Sequence, residues 1–269
     1  MQRRSGMFEE EKALVVEEVT AGYNGNIVLK DISFEMLHPS ILVIMGPNGA
    51  GKTTLLKTII GLLRPYKGRI FVFGHNAWEN LSKIRKLISY VPQRERVSES
   101  VPLRVRDIVL LGRMAKKGPL SIPSRVDIKA TKEALKKALV PREFWDKKFS
   151  ELSGGLQQKV LIARALVTEP KILLLDEPFS AVDAPSQREI IELLARLRSK
   201  GVSSVIVTHD INPLVEYTDY VLLLNRRVIA FGKPEEVLTG ENLSKAYGIS
   251  VKVLVHKGVC YAIIGDYHA

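Results

Sequence analysis

The sequence predicts an α/β fold with a mixed sheet at its core, and three observations support this class. Short apolar runs typical of buried strands alternate along the chain with segments of helical spacing. One such run, Ile41–Met45, leads into a glycine-rich loop that a helical pattern follows. Another, Ile172–Leu175, is continuously apolar and ends in two acids, as central parallel strands do beside a ligand. We therefore expect a ligand site at the carboxyl ends of these strands.

The glycine-rich loop, called the phosphate loop below, fits the pattern G-x-x-x-x-G-K-[ST]. Its predicted nucleotide-binding residues are Gly46, Pro47, Asn48, Gly49, Ala50, Gly51, Lys52, Thr53 and Thr54. Glycines let backbone N–H groups converge on a phosphate chain, and the helix N-terminus adds positive potential. Lys52 is expected to reach the β/γ-phosphates and Thr53 to bind Mg²⁺. The loop thus predicts a protein that binds a nucleoside triphosphate.

The composition is typical of a globular protein without membrane helices or disulfides. With 269 residues, 46% hydrophobic and 26% charged, the chain can bury a sizeable core. Apolar runs stay well short of the roughly 18 residues of a membrane helix, and the basic N-terminus lacks the apolar stretch of a signal peptide. Because Cys260 is the only cysteine, an intrachain disulfide is excluded and a cytosolic address is favoured.

The net charge of +11 is concentrated in one segment. Residues 101–149 contain 13 lysines and arginines against 5 acids, which accounts for +8 of that charge. Such an excess is compatible with a nucleic acid, an anionic membrane surface or a plain solvated face.

The N-terminal part is predicted to be strand-rich. Residues 1–12 are polar and are expected to form a flexible tail ahead of a main domain over 13–249. Predicted strands are Leu14–Val19, Ile32–Met36, Ile41–Met45, Ile70–Phe73 and Ile88–Val91. Tyr23 lies in a turn-rich stretch between them and is either a loop aromatic or a stacking platform for an adenine ring.

Residues 94–165 are predicted to form a helical insertion. Helical spacing covers Val105–Leu111 and Ile128–Leu139, and the connection Gly112–Arg125 is expected to be a surface loop because it holds two prolines and two glycines. In the second helix, residues expected to face inward are Ile128, Leu135, Ala138 and Leu139; those expected to face water are Lys129, Lys132, Lys136 and Lys137.

A third helix, Leu156–Val167, follows a small-residue turn that can bind an anion at the helix N-terminus. This turn consists of Leu152, Ser153, Gly154 and Gly155, with Ser153 suited to the N-cap position.

Acidic and basic groups follow the later strands. Asp176 is positioned to hold a metal ion and Glu177 to polarise an attacking water. The turn Ser180–Asp183 precedes a predicted helix, Ser186–Ser199. The next strand, Ser204–Val207, brings His209 to the same edge of the sheet as Glu177. A hairpin is then predicted from two strands, Val221–Leu224 and Val228–Phe231.

The last segment, 250–269, is predicted to be a short extension that forms a β-hairpin. It holds four residues of metal-ligand type, namely His256, Cys260, Asp266 and His268. Their spacing matches no zinc-finger pattern, so we expect an ordinary hairpin there.

Together these motifs resemble the ATP-binding subunit of ATP-binding-cassette (ABC) transporters over nearly the whole chain. The resemblance implies a P-loop cassette with an N-terminal antiparallel β subdomain and an inserted helical subdomain. It also implies roles for individual residues: adenine stacking for Tyr23, catalysis for Glu177, Gln93 and the switch histidine His209, and Mg²⁺ binding for Thr53, Asp176 and Gln93. Gln93 would also sense the membrane partner, Leu152–Gly155 would be the signature that binds the ATP of a partner chain, and Ser180–Asp183 the D-loop. Leu156 and Lys159 depart from the family's usual Gln and Arg.

The family resemblance further implies a head-to-tail homodimer that closes around two ATP and drives a membrane permease from the cytoplasmic face of the membrane, with a substrate-binding protein involved indirectly. The stretches Pro102–Arg113 and 222–248 are similar to those of metal and metal-chelate importers, and among these an importer of the zinc or manganese type is expected. Import of iron-siderophore, haem or cobalamin is the alternative. A soluble cassette ATPase acting on nucleic acid, or one in iron–sulfur assembly, is an alternative of another class. Because the chain has a single set of motifs and lacks long coiled-coil insertions, we expect no nucleic-acid partner.

Overall fold

The computed structural model describes residues 11–93, 102–118, 121–180, 182–256 and 259–263. Within them the strands are β1 Lys12–Tyr23, β2 Asn26–Leu37, β3 Ile41–Met45, β4 Lys67–Val72, β5 His75–Asn76, β6 Ile88–Val91, β7 Ile172–Asp176, β8 Ser203–Val207, β9 Tyr220–Asn225, β10 Arg227–Gly232, β11 Lys252–His256 and β12 Val259–Ile263. The α-helices are α1 Lys52–Ile59, α2 Leu81–Leu87, α3 Val105–Lys117, α4 Arg125–Lys137, α5 Gly154–Leu166, α6 Ala184–Ser199, α7 Pro234–Val237 and α8 Gly240–Tyr247.

The strands form a mixed central sheet and an antiparallel one, which confirms the predicted fold class. The central sheet has the order β10-β9-β3-β8-β7-β6, and all neighbours are parallel except β10 with β9. The second sheet has the order β2-β1-β4-β5 and is antiparallel. In the central sheet, β3, β7 and β8 are buried along their whole length, as their continuous apolar runs predict. Their carboxyl ends therefore meet at one edge.

One expected boundary lies elsewhere. β1 begins at Lys12, inside the range 1–12 that is predicted to be a tail; residues 1–10 lie outside the described part. At the other end, β11 and β12 pair antiparallel in register from Lys252 with Ile263 to His256 with Val259. The side chains of His256 and Cys260, and all of Asp266 and His268, lie outside the described residues, so the expectation about them remains a prediction.

The predicted loop Gly112–Arg125 is wrong over its first half, because α3 continues to Lys117. Gly112 lies inside this helix rather than in a turn. A Cβ at Gly112 would stand 2.4 Å from the carbonyl oxygen of Arg164 in α5. The glycine thus permits close packing of two helices, a tertiary requirement that looks like a turn signal in sequence.

The expected inner face of α4 is also partly wrong. Leu135 and Ala138 are fully buried, but Ile128 and Leu139 are exposed by 46% and 38%. Their places toward the interior are taken by Asp127 and Thr131. The predicted water-facing lysines of this helix are exposed.

Asp127 is fully buried because four hydrogen bonds compensate its charge. It accepts from Lys117 Nζ at 2.6 Å, from Ser124 Oγ at 2.6 Å and N at 2.8 Å, and from Arg113 Nε at 3.3 Å. The Lys117 ammonium, then the Ser124 hydroxyl, holds the pKa of this carboxyl well below its usual range. This cluster ties the end of α3 to the start of α4.

We expect Asp127→Asn to lower the melting temperature by several degrees, because the two cations lose their buried partner. Since the folded-state pKa is depressed, the stabilisation is fully present above the unfolded pKa of about 3.9 and is lost as the pH falls below it. Thermal melts from pH 7 to pH 3 should therefore show wild type and variant converging in acid. Asp146→Asn, which removes an exposed ion pair with Arg106, is the control and should change little. A difference between wild type and Asp127→Asn that stayed constant down to pH 3 would contradict this account.

Candidate functional site

The phosphate loop connects the buried strand β3 to α1. Gly46 has φ 151°, and a Cβ there would come within 1.9 Å of the carbonyl oxygen of Leu224, so a larger residue cannot replace it. Gly51 is the N-cap of α1 in the left-handed region and supplies no side chain to cap the helix. The first amides of α1 therefore lack a side-chain acceptor and face the loop, an arrangement that suits an anion.

Lys52 lies across this loop and is only 9% exposed. Its Nζ donates to the carbonyl oxygens of Gly46 at 2.7 Å and Pro47 at 3.0 Å. Burial lowers the pKa of Lys52, and the carboxylates of Glu177 and Asp176 oppose that shift. The ammonium group is thus held next to the loop by hydrogen bonds that a phosphate can replace.

Asp176, the last residue of β7, lies against α1. It accepts a hydrogen bond from Thr53 Oγ1 at 3.1 Å and another from Tyr90 Oη at 3.0 Å. Tyr90 comes from β6, the parallel neighbour of β7. Thr53 and Asp176, each of which is predicted to bind Mg²⁺, are therefore within hydrogen-bonding distance of each other.

Glu177 and His209 lie together at the same sheet edge, as expected from their positions after β7 and β8. Glu177 has φ 48°, an uncommon conformation for a residue with a side chain, and its N–H donates to Val207 O at 3.0 Å. Its Oε2 lies 3.0 Å from His209 Nδ1, so the imidazole N–H donates when Glu177 is ionised. The histidine side chain is 73% exposed and the glutamate 18%. The pair joins a shielded carboxylate to an accessible ring.

The phosphate loop from Asn48 onward, the two acids and His209 line one cavity of about 390 Å³. The predicted site residues that line it are Asn48, Gly49, Ala50, Gly51, Lys52, Thr53, Thr54, Gln93, Asp176, Glu177, Ser180 and His209. Val28 and Val207 also line it and were missed, because a valine in a strand carries no functional signal. Tyr90 was missed as well, although its position on a strand expected near the acids was a usable clue.

Tyr23 lies outside this cavity, at the end of β1, with 40% of its surface exposed. Lys57 Nζ lies 5.7 Å from the centre of its ring. The accessible ring is compatible with stacking on a flat ligand beside the phosphate loop.

The signature residues also lie outside the phosphate-loop cavity. Ser153 occupies the N-cap of α5 as predicted, but its hydroxyl makes no capping hydrogen bond and the residue is exposed. A Cβ on Gly155 would stand 2.3 Å from Ser186 Oγ, so the starts of α5 and α6 are in close contact. Asp183, which belongs to the predicted D-loop, caps α6 by accepting from Ser186 N at 2.9 Å. Leu156 is half-buried and packs against the hydrophobic core to which α3, α5 and α6 contribute.

Comparison with known proteins decides the family. The family model described as ABC transporter matches residues 29–180, more than half of the chain. The chain belongs to the ABC transporter family. It is 42% identical over 233 residues to the manganese transport system ATP-binding protein MntB of Bacillus subtilis, covering 87% of this chain and 91% of the relative. It is 41% identical to the zinc transport system ATP-binding protein TroB of Treponema pallidum, with 88% and 87% covered.

Solved structures agree with this assignment. A structure described as an inward-facing conformation of a metal-chelate type ABC transporter matches with a TM-score of 0.80 and 32% identity, over 94% of this chain and 96% of the other. The dimeric cassette MJ0796 bound to ADP and Pi matches with a TM-score of 0.72 and 30% identity, over 82% and 98%. This chain is therefore an ATPase of the cassette type, which confirms the resemblance to the ATP-binding subunit of ABC transporters. Among the described residues, the helices are all too short or too polar to span a membrane.

Proposed function

We propose that this ABC ATPase powers the uptake of a divalent metal ion of the zinc or manganese type through a membrane permease. One observation supports ATP hydrolysis: a single cavity is lined by Lys52, Thr53, Asp176, Glu177 and His209. The names of the manganese and zinc relatives support the cargo.

In this proposal the phosphate loop holds ATP through its backbone N–H groups, the start of α1 and the Lys52 ammonium. Thr53 Oγ1 and Asp176 Oδ1, which are 3.1 Å apart, together with Gln93 offer the hard oxygen ligands that Mg²⁺ prefers. When bound, Mg²⁺ neutralises charge that develops on the phosphates. Tyr23 stacks on the adenine ring.

Glu177 is the general base in this scheme. Its carboxylate accepts the proton of the attacking water as the water oxygen bonds to the γ-phosphorus and the bond from that phosphorus to the bridging oxygen breaks, so that ADP leaves. His209 fixes the orientation of Glu177 through Nδ1, and its exposed ring is free to contact the γ-phosphate.

The separation of the signature from the cavity supports a head-to-tail homodimer. The N-terminus of α5, with Ser153 exposed and Gly154 and Gly155 next to it, is available to the γ-phosphate of a second copy. Ser180 and Asp183 then lie between the two sites. ATP would join the copies, and hydrolysis would release them.

The proposal also includes a permease as the membrane partner and a substrate-binding protein that acts outside the membrane. The ATPase itself would lie at the cytoplasmic face. Iron-siderophore, haem or cobalamin import is the second candidate, because one similar structure is described as of metal-chelate type. The basic helical insertion is proposed to face the permease and lipid headgroups rather than a nucleic acid.

The test is purification of the tagged chain from membranes, followed by reconstitution in liposomes. We expect a multi-helix permease to co-purify, and ATP-dependent uptake of Mn²⁺ or Zn²⁺ by the reconstituted complex. Lys52→Ala should abolish uptake while the complex still assembles, because Lys52 contacts the phosphate loop, whereas the helical insertion is proposed to face the permease. Uptake of a ferric chelate instead of the free ions would favour the second candidate. Co-purification of nucleic acid without a permease would refute the proposal.

A further inference from the structure

Tyr90 and Asp176 lie on the same face of the central sheet. β6 pairs parallel with β7, with Tyr90 opposite Leu174 and Val91 opposite Leu175. Because side chains alternate along a strand, Tyr90, Leu174 and Asp176 share one face, whereas Val91 and Leu175 share the other. The packing agrees: Tyr90 and Leu174 pack in the hydrophobic cluster that contains α1, and Val91 and Leu175 in the cluster that contains α5 and α6. The tyrosine therefore lies on the side of the sheet that is covered by the helix of the phosphate loop.

The Tyr90 hydroxyl reaches the end of the neighbouring strand. Asp176 follows Leu174 by two residues, which corresponds to about 7 Å along a strand, and the length of a tyrosine side chain spans this offset. Tyr90 Oη donates to Asp176 Oδ2 at 3.0 Å. An apolar residue at position 90 could pack against the same cluster but could not donate this hydrogen bond. Packing thus places the ring, and the hydroxyl contacts the acid.

The two oxygens of the Asp176 carboxylate accept from different elements. Oδ1 accepts from Thr53 Oγ1 in α1 at 3.1 Å, and Oδ2 accepts from Tyr90 in β6. Asp176 is only 1% exposed, so its orientation depends on donors within the protein. Thr53 lines the phosphate-loop cavity, whereas Tyr90 is not one of the described residues that line it. Tyr90 therefore holds the carboxylate from the side that faces away from the nucleotide.

The strand that carries Tyr90 also leads to Gln93. β6 ends at Val91, and Gln93 follows two residues later and lines the same cavity as Asp176. The hydrogen bond from Tyr90 therefore links the strand before Gln93 to the carboxylate at the end of β7. Lys52 is held separately, by the carbonyls of Gly46 and Pro47. Loss of the Tyr90 hydroxyl should consequently disturb the groups proposed to bind Mg²⁺ and leave the phosphate loop unchanged.

We propose that Tyr90 is a positioning residue for the Mg²⁺ that accompanies the nucleotide: its hydroxyl holds Asp176 Oδ2 and so keeps Oδ1 directed toward Thr53 and the cavity. This inference rests on the proposed function, in which Thr53 and Asp176 offer oxygen ligands to Mg²⁺. Hydrogen bonds that orient a metal-binding group from outside the ligand set typically contribute about 10- to 100-fold to metal affinity. The Tyr90 hydroxyl is a donor of this kind.

The test compares Tyr90→Phe with the control Tyr217→Phe, which alters a tyrosine that is 37% exposed and outside the cavity. A fluorescent ADP analogue is bound to the full chain in EDTA, and Mg²⁺ is then titrated into the complex. In Tyr90→Phe the Mg²⁺ concentration at half-saturation should rise about 10-fold, while the affinity for the analogue in EDTA stays within about twofold of wild type. ATP hydrolysis should show the same shift in Mg²⁺ dependence, with kcat within about threefold of wild type at saturating Mg²⁺.

The measurement in EDTA separates positioning of the metal site from a general disturbance. A half-saturating Mg²⁺ concentration in Tyr90→Phe within twofold of wild type would overturn the inference, as would an equal loss of affinity for the analogue in EDTA. Tyr90→Leu, a second variant without a donor, should show the same rise in the Mg²⁺ requirement, and a wild-type requirement there would also overturn it. Thermal melting checks that each variant is folded. Lys52→Ala tests the proposed function separately: wild-type affinity for the analogue in that variant would count against the phosphate loop itself.

Discussion

Replacement of Glu177 by Gln is expected to reduce ATP hydrolysis by about 10²- to 10⁴-fold while ATP binding persists. Gln keeps the size and the hydrogen-bonding reach of the side chain but cannot take a proton from water. The structure indicates that this substitution should change the chemistry of the side chain without disturbing the backbone. Glu177 is held at φ 48° with its N–H on Val207 O, so the backbone does not depend on the charge of the carboxylate. His209 can still donate to the amide oxygen of Gln.

The Glu177→Gln variant should accumulate as an ATP-bound dimer, because the step that releases the two copies is blocked. Phosphate release and gel filtration with Mg-ATP measure the two effects on the same sample. Glu143→Gln, at an exposed position in the helical insertion, serves as the control and should hydrolyse ATP at the wild-type rate. Turnover by Glu177→Gln at near the wild-type rate would end the assignment of this residue as the base.

Replacement of Ser153 by Arg is expected to reduce hydrolysis by about 10²-fold or more, the range found when an anion-stabilising group is removed. Ser153 is exposed at the N-cap of α5, beside Gly154 and the tightly packed Gly155. A long side chain there would fill the space that the γ-phosphate of the partner copy must enter. Because the Ser153 hydroxyl makes no hydrogen bond within its own helix terminus, the fold should tolerate the change. Ser199→Arg, at the exposed end of α6, is the control for an added surface cation.

Leu156→Gln, in the same helix, should change the rate by no more than several-fold. An anion at a helix N-terminus is held mainly by backbone N–H groups and the helix dipole, and a single neutral hydrogen bond contributes only about 0.5–1.5 kcal/mol. Leu156 is half-buried and packs against the core, so part of its side chain is already engaged there. ATP hydrolysis rates measured side by side for Ser153→Arg and Leu156→Gln test whether the signature acts mainly through its backbone. A large gain from Leu156→Gln, or an active Ser153→Arg, would show that the signature works through side chains instead.

Local motifs were predictable to the residue because their geometry is set by neighbours in sequence. The spacing from Gly46 to Thr53 determines a loop, a helix start and a lysine that folds back over it, and the structure has all three. The apolar runs of β7 and β8 likewise predicted that Glu177 and His209 meet, since parallel strands end at one edge. The placement of Tyr23 and the signature outside this cavity could not be judged from spacing alone.

The sequence by itself therefore determined the α/β class, the phosphate loop, the acid–histidine edge and the family, because each depends on residue type at short spacing or on strand ends. Only the tertiary structure decided that Gly112 lies in a helix, that Asp127 is buried where Ile128 was expected, and that Tyr90 donates a hydrogen bond to Asp176. These depend on contacts between segments far apart in the chain. Close helix packing, a buried ion cluster and a hydrogen bond between side chains of neighbouring strands leave no periodic pattern, so the fold must bring the partners together before their roles can be recognised.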